Sequence, residues 1–169
     1  MKPVKASRRS FRLSDGYDPV DLLLYAAGHK RGAELLFQSG GHLLDSAAHL
    51  GHLAVELLLK AILLHRTGLF TDSHDLVELA RQVEDGGVRL EFNNEVELAF
   101  FSFAQYAGVR YPNPKNPQQV GSMDADLLGI LWSHLDTRVP TDLRARYVAT
   151  PAYEKGGRIF MSKPKADAT

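Results

Sequence analysis

The sequence predicts an all-α protein, an up-and-down bundle of four or five helices built as one domain. Three observations predict it. The first is the stretch from Ala47 to Gly68, AAHLGHLAVELLLKAILLHRTG, in which Leu50, Leu53, Ala54, Leu57, Leu58, Ala61 and Ile62 recur at helical spacing. Leu59, Leu63 and Leu64 widen that face until most of the circumference is apolar, which suits a helix running through the middle of a bundle. The second is a set of shorter periodic segments on either side, each closed by glycine or proline. The third is the composition: 169 residues, 44% hydrophobic and 24% charged, the balance of a chain that can bury one core.

The elements follow in order. A first helix is expected from Asp18, with Pro19 at its first position, to about Ser39. Its buried side would carry Leu22, Leu23, Ala26, Ala33, Leu36 and Phe37, and Gly40 and Gly41 break it. The central helix then begins around His42 to Ser46 and stops at Gly68, with His65 and Arg66 in its last turn. So short a link makes the two helices antiparallel neighbours. LFTDS reads as a turn, and Ser73 as the N-cap of a third helix with Asp75 in its first turn. That helix buries Leu76, Leu79, Ala80 and Val83. Asn93 caps a fourth helix, whose Phe100, Phe101, Phe103 and Tyr106 supply the aromatic part of the core. The prolines of YPNPKNP end it. Ser122 caps a fifth helix with Leu127, Leu128, Leu131, Trp132 and Leu135 as its stripe, and Pro140 closes it.

The domain reading is thus a flexible basic arm over residues 1–17, a helical bundle over 18–139 and an irregular extension over 140–169. In that extension RARYVAT and GRIFMS read as a tail rather than a hairpin, because an isolated hairpin is marginal.

Composition excludes several classes of function. Twenty basic residues balance twenty acidic ones, so bulk charge does not argue for nucleic acid. There is no cysteine, hence no disulfide, thiolate nucleophile or cysteine-ligated metal. No signal peptide is expected from MKPVKASRRS, and the apolar run from Leu53 to Leu64, interrupted by Glu56 and Lys60, is too short to span a membrane. A cytoplasmic protein without membrane contact is the expectation.

Few residues carry a chemical signature. His42, His49 and His52 crowd the start of the central helix with Glu56 one turn on, but no second ligand set accompanies them, and no metal site is expected. The chain has no GxSxG elbow, no P-loop and no GxGxxG. Glu56 and Lys60 stand four apart in the favourable order for a helical ion pair. Charges inside so apolar a helix are tolerated when paired, so this pair is expected to be at least partly buried and to lie near the end of the fourth helix, close to Arg110. In YAGVRYPNPK, Arg110 and Tyr111 stand where an aromatic helix is cut by proline; they are placed to clamp a phosphate and stack on a base, or to cap the helix and pack on the bundle.

Taken together, AAHLGHLAVELLLKAILL, HDLVELA and the aromatic helix ending YAGVRYP resemble the HEPN superfamily over about Asp18 to Arg138. Glu56 and Lys60 match its acid-then-lysine pattern; His74, Asp75 and Leu76 match its HDL; Tyr106, Arg110, Tyr111 and Pro112 match its closing tyrosine and RYP. The resemblance implies a helical bundle that pairs into dimers. It implies either an RNase of toxin–antitoxin, defence or RNA-processing systems, or a non-catalytic module that binds nucleotide or RNA beside a nucleotidyltransferase-like partner. The RNase members use an arginine followed after four to six residues by a histidine, and no histidine follows Arg110 at that distance. The expectation is therefore a homodimeric, non-catalytic module needing no cofactor. Arg110, Tyr111, Asn113 and Lys115 would hold the phosphate-bearing ligand, supported by Glu56, Lys60, His74 and Tyr106. The alternatives are a metal-independent RNase with a variant site, its catalytic candidates Arg110 and His74, or a purely structural interaction bundle.

Overall fold

The central helix, α2 (Leu44–Thr67), is the axis around which the other elements pack. In the computed structural model, which describes residues 9–106 and 119–150, it follows α1 (Pro19–Ser39) and a single 3-10 turn over Gly41–Leu43. The Asp18 carboxylate caps α1 at the amide of Val20, and Pro19 sits where an amide hydrogen would have no partner. Gly32 of α1 faces Leu50 of α2, and His29 feels the charge of Glu56. Numbers fall along α1 as they rise along α2, so the two run antiparallel.

Beyond α2, Gly68 takes the left-handed conformation that ends the helix and returns its amide to Leu64. The chain then enters β2 (Leu69–Thr71), which pairs antiparallel with β1 (Ser10–Arg12). Helices α3 (Leu76–Asp85), α4 (Asn94–Gln105), α5 (Met123–Arg138) and α6 (Thr141–Ala149) complete the described residues. The core is one cluster: Leu58, Leu59, Ile62 and Leu64 of α2, Leu76 and Leu79 of α3, Phe103 of α4, Leu128, Leu131 and Leu135 of α5 and Leu143 of α6 are all fully buried. Each such side chain contributes about 1.5–3 kcal/mol of transfer free energy.

The all-α reading holds, and so do five of the six helices, with several corrections. LFTDS is not merely a turn: Phe70 stacks on Phe11 at 5.1 Å and meets Tyr17 edge-on at 5.7 Å, so part of the expected arm is a strand. RARYVAT is helical rather than irregular, because Leu143 finds a core site and Arg146 bonds Asp18 at 3.0 Å. GRIFMS lies outside the described residues. Asp75, not Ser73, caps α3, since its carboxylate reaches the amides of both Val77 and Glu78. Ser122 makes no cap bond; the Asp124 carboxylate accepts the Gly121 amide instead. Phe101 is 46% exposed and stands outside the core that Phe100 and Phe103 enter. Finally, Gly41–Thr67 is long and apolar enough to cross a membrane by length and composition, contrary to the sequence expectation, although 78% of its most apolar window is buried by the rest of the fold.

Candidate functional site: a buried carboxylate with one exposed histidine

Glu56 sits in the middle of α2 with only 3% of its surface exposed. A bare carboxylate there would cost several kcal/mol. It is offset by three neighbours, two on α2 itself and one on the loop that follows β2. Lys60, one turn on and 5% exposed, donates to Oε1 at 2.6 Å. His74, between β2 and α3, brings Nδ1 to 3.0 Å of Oε2. His52, one turn back, places Nε2 3.6 Å from Oε2, an electrostatic contact longer than a hydrogen bond. Burial pushes the carboxyl up, but these three partners and the Lys60 charge outweigh it and hold the group at about 2. Glu56 is thus a fixed negative charge at any physiological pH.

The surroundings seal the pair. The Lys60 ammonium lies 5.6 Å from the centre of the Phe70 ring, so the β1–β2 ribbon closes over it with an aromatic face. His29 of α1 feels the same carboxylate, although burial dominates there and lowers its pKa.

The network also reaches the end of α4. His52 Nδ1 lies 2.8 Å from the Phe103 carbonyl and must donate to it. Gly51 makes that approach feasible: a methyl group built on it would lie 2.4 Å from Phe103 Cε1. Three residues later the Tyr106 hydroxyl donates to Asp124 at 2.6 Å. Burial first, then the bond to Asp124 and its charge, push that phenol up, so it stays a donor. The Tyr106–Asp124 bond ties the end of α4 to the start of α5, and the chain between them carries Arg110.

Glu56, Lys60 and His74 are therefore brought together, the pair is buried, and His52 links it to the Phe103 carbonyl of α4; its expected closeness to Arg110 lies outside the described residues. Tyr106 belongs to a second bond nearby, not to the Glu56 cluster. Arg110, Tyr111, Asn113 and Lys115 lie outside the described residues. The sequence marks His52 only as a candidate metal ligand and gives Asp124 no role in the site; both are structural links. The signal for His52 was its position one turn before Glu56. No group of three or more metal-ligating side chains occurs among the described residues.

His74 differs from the rest of the cluster. Its side chain is 72% exposed while the carboxylate that holds it is 4% exposed. With Nδ1 engaged by Glu56, Nε2 is left on the opposite edge of the ring. A buried carboxylate orienting an exposed imidazole in this way presents a defined donor or acceptor to solvent.

Comparison with curated proteins and with solved structures gives no match. Comparison with protein families does: residues 21–127, which include α2, α3, α4 and the whole Glu56 cluster, match the HEPN domain. The chain belongs to the HEPN domain family.

Proposed function

We propose that this HEPN chain is a non-catalytic module that binds a phosphate-bearing ligand, a nucleotide or RNA, where the Glu56 network meets the surface. The observation that carries the reading is His74, an exposed ring fixed by a buried, ionised carboxylate. Rigid placement of a donor lowers the entropy lost on binding an anion. Arg110, Tyr111, Asn113 and Lys115 would complete the site, since their stretch continues directly from α4, whose last turns are held by His52 and Tyr106. An arginine fork for the phosphate and a tyrosine ring for the base suit that ligand. Pairing into a homodimer and association with a nucleotidyltransferase-like partner, as in a toxin–antitoxin or defence pair, belong to the same proposal, as does a cytoplasmic location.

Anisotropy titration of a labelled nucleotide and a labelled short RNA tests it. Wild type binds, and Arg110→Ala and His74→Ala each weaken binding about tenfold or more, the loss of one charge-assisted hydrogen bond. No binding by the wild type, or equal binding by all three proteins, refutes the site.

The His74–Glu56 geometry also favours a second reading, RNA cleavage without metal. His74 Nε2 would take the proton of a ribose 2′-hydroxyl as its oxygen attacks phosphorus. The 5′-oxygen would leave with its electron pair and take a proton from water, while Arg110 balanced the phosphate charge. Fragments ending in 2′,3′-cyclic phosphate, lost in His74→Ala, distinguish this from binding alone.

A further inference from the structure

A second concavity lies on the other side of α2. Leu58, two residues from Glu56 and so about 200° around the helix, lies fully buried beneath that concavity. The cavity has a volume of about 580 Å³, in the range that small organic ligands fill. Leu23 and Ala27 of α1 and Val139 after α5 complete an apolar floor, and Trp132 of α5 and Tyr147 of α6 stand as aromatic walls. Ala27 keeps it open, since α1 offers only a methyl group there.

The walls are cross-tied. Arg144 of α6 bonds the Asp136 carboxylate of α5 at 2.7 Å and also donates to the Asp136 carbonyl. Arg146 of α6 bonds Asp18 at the start of α1. Lys30 of α1 lies 5.7 Å from the Trp132 ring centre and bonds Glu34 at 2.6 Å. Both carboxylates at the cavity are thus already engaged by a cation. Arg31 also lines it, is exposed, and has no hydrogen bond or ion pair among the described residues. The charge left over is one guanidinium above an apolar floor. Tyr147 adds a hydroxyl that stays protonated, because burial first and the Asp136 charge second push its pKa up.

We propose that this cavity between α1, α5 and α6 is a binding site for a small organic anion, with an apolar aromatic body seated between Trp132 and Tyr147 and a single negative charge on Arg31. The site is independent of the Glu56 cluster and of the nucleotide or RNA reading. A polyanion is disfavoured, because with Lys30 and Arg144 engaged by Glu34 and Asp136 only Arg31 is left to balance negative charge.

Trp132 is the only tryptophan of the chain, so its emission reports on the cavity. The full-length protein is titrated with 8-anilinonaphthalene-1-sulfonate, an aromatic body with one sulfonate, and with the uncharged N-phenyl-1-naphthylamine. Each should quench Trp132 at one-to-one stoichiometry, the anion about tenfold more tightly, as one charged hydrogen bond gives. Arg31→Gln should abolish that preference and leave the neutral probe unchanged. Ala27→Phe should abolish binding of both, with retained circular dichroism showing that it folds. Unchanged Trp132 emission in the wild type overturns the proposal. So does an anion preference that survives Arg31→Gln, or binding that survives in folded Ala27→Phe.

Discussion

The two sides of α2 solve the same problem by different chemistry. On one, Leu58 and Ile62 are fully buried among aliphatic neighbours and need no partner of any particular geometry. On the other, Glu56 and Lys60 are buried almost as deeply and need particular partners at particular distances. The first side is held by area removed from water. The second is held only while every charge stays paired, and it reaches the surface through a single polar side chain, His74. Paired charges are a poor way to stabilise a helix that leucines would stabilise equally well, so their presence points to a task other than stability.

The largest expected effect tests that difference directly. Lys60→Met leaves Glu56 buried without its strongest partner and should destabilise the fold by about 3–5 kcal/mol in urea unfolding. Glu56→Leu together with Lys60→Met removes both charges and should be near neutral or stabilising. That double variant should also release His74 and lose ligand binding. A double variant as unstable as the single one would mean that the pair is needed for folding, and the contrast between the two sides would disappear.

Acid gives the next effect. The Glu56 pKa falls from 4.5 to about 2 on folding. A depressed carboxylate contributes stability that is complete above its unfolded value and is lost as pH falls through the folded one. The loss should therefore run from about pH 4.5 down to about pH 2, and the shift corresponds to on the order of 3 kcal/mol. Unfolding free energies of wild type and Glu56→Gln at pH 7 and pH 3 check it, the difference between them narrowing at the lower pH. The apolar side of α2 predicts no such dependence.

The same contrast explains what the sequence made legible. Periodicity located α1 through α5 and the buried side of α3, because burial by area leaves a repeating pattern that needs no knowledge of the partner. The Glu56–Lys60 pair was legible for a related reason: two charges inside an apolar run must be paired if the run is buried. His74 entered only through its HDL resemblance, since it stands on a loop and its partner on α2 is eighteen residues away. The β1–β2 ribbon stayed hidden, because each strand is three residues long and its signal is the stacking of Phe11, Tyr17 and Phe70 across distant segments. Helix α6 stayed hidden because only Leu143 of its nine residues is buried, so it has no stripe to read. The cavity it helps to form was invisible for the same reason.

The smallest effects come from two glycines, and their signs should be opposite. Gly51 faces the ring of fully buried Phe103, where a methyl group would lie 2.4 Å from Cε1. That ring is also packed edge-on against Tyr106 at 5.4 Å, so it cannot swing freely away. Gly51→Ala should cost about 1–3 kcal/mol by overpacking. It should also push α4 from α2 and lengthen the bond between His52 and the Phe103 carbonyl. Gly28 is likewise inside a helix, but on the exposed surface of α1, where an added methyl group meets nothing within 4 Å. Gly28→Ala should stabilise by about 0.4–1 kcal/mol, because alanine has less conformational freedom to lose on folding. Thermal or urea unfolding of the two variants side by side measures both. If Gly51→Ala is stabilising as well, the close approach of α2 to α4 is not held by that glycine, and the route from Glu56 through His52 to the end of α4 is looser than these distances imply.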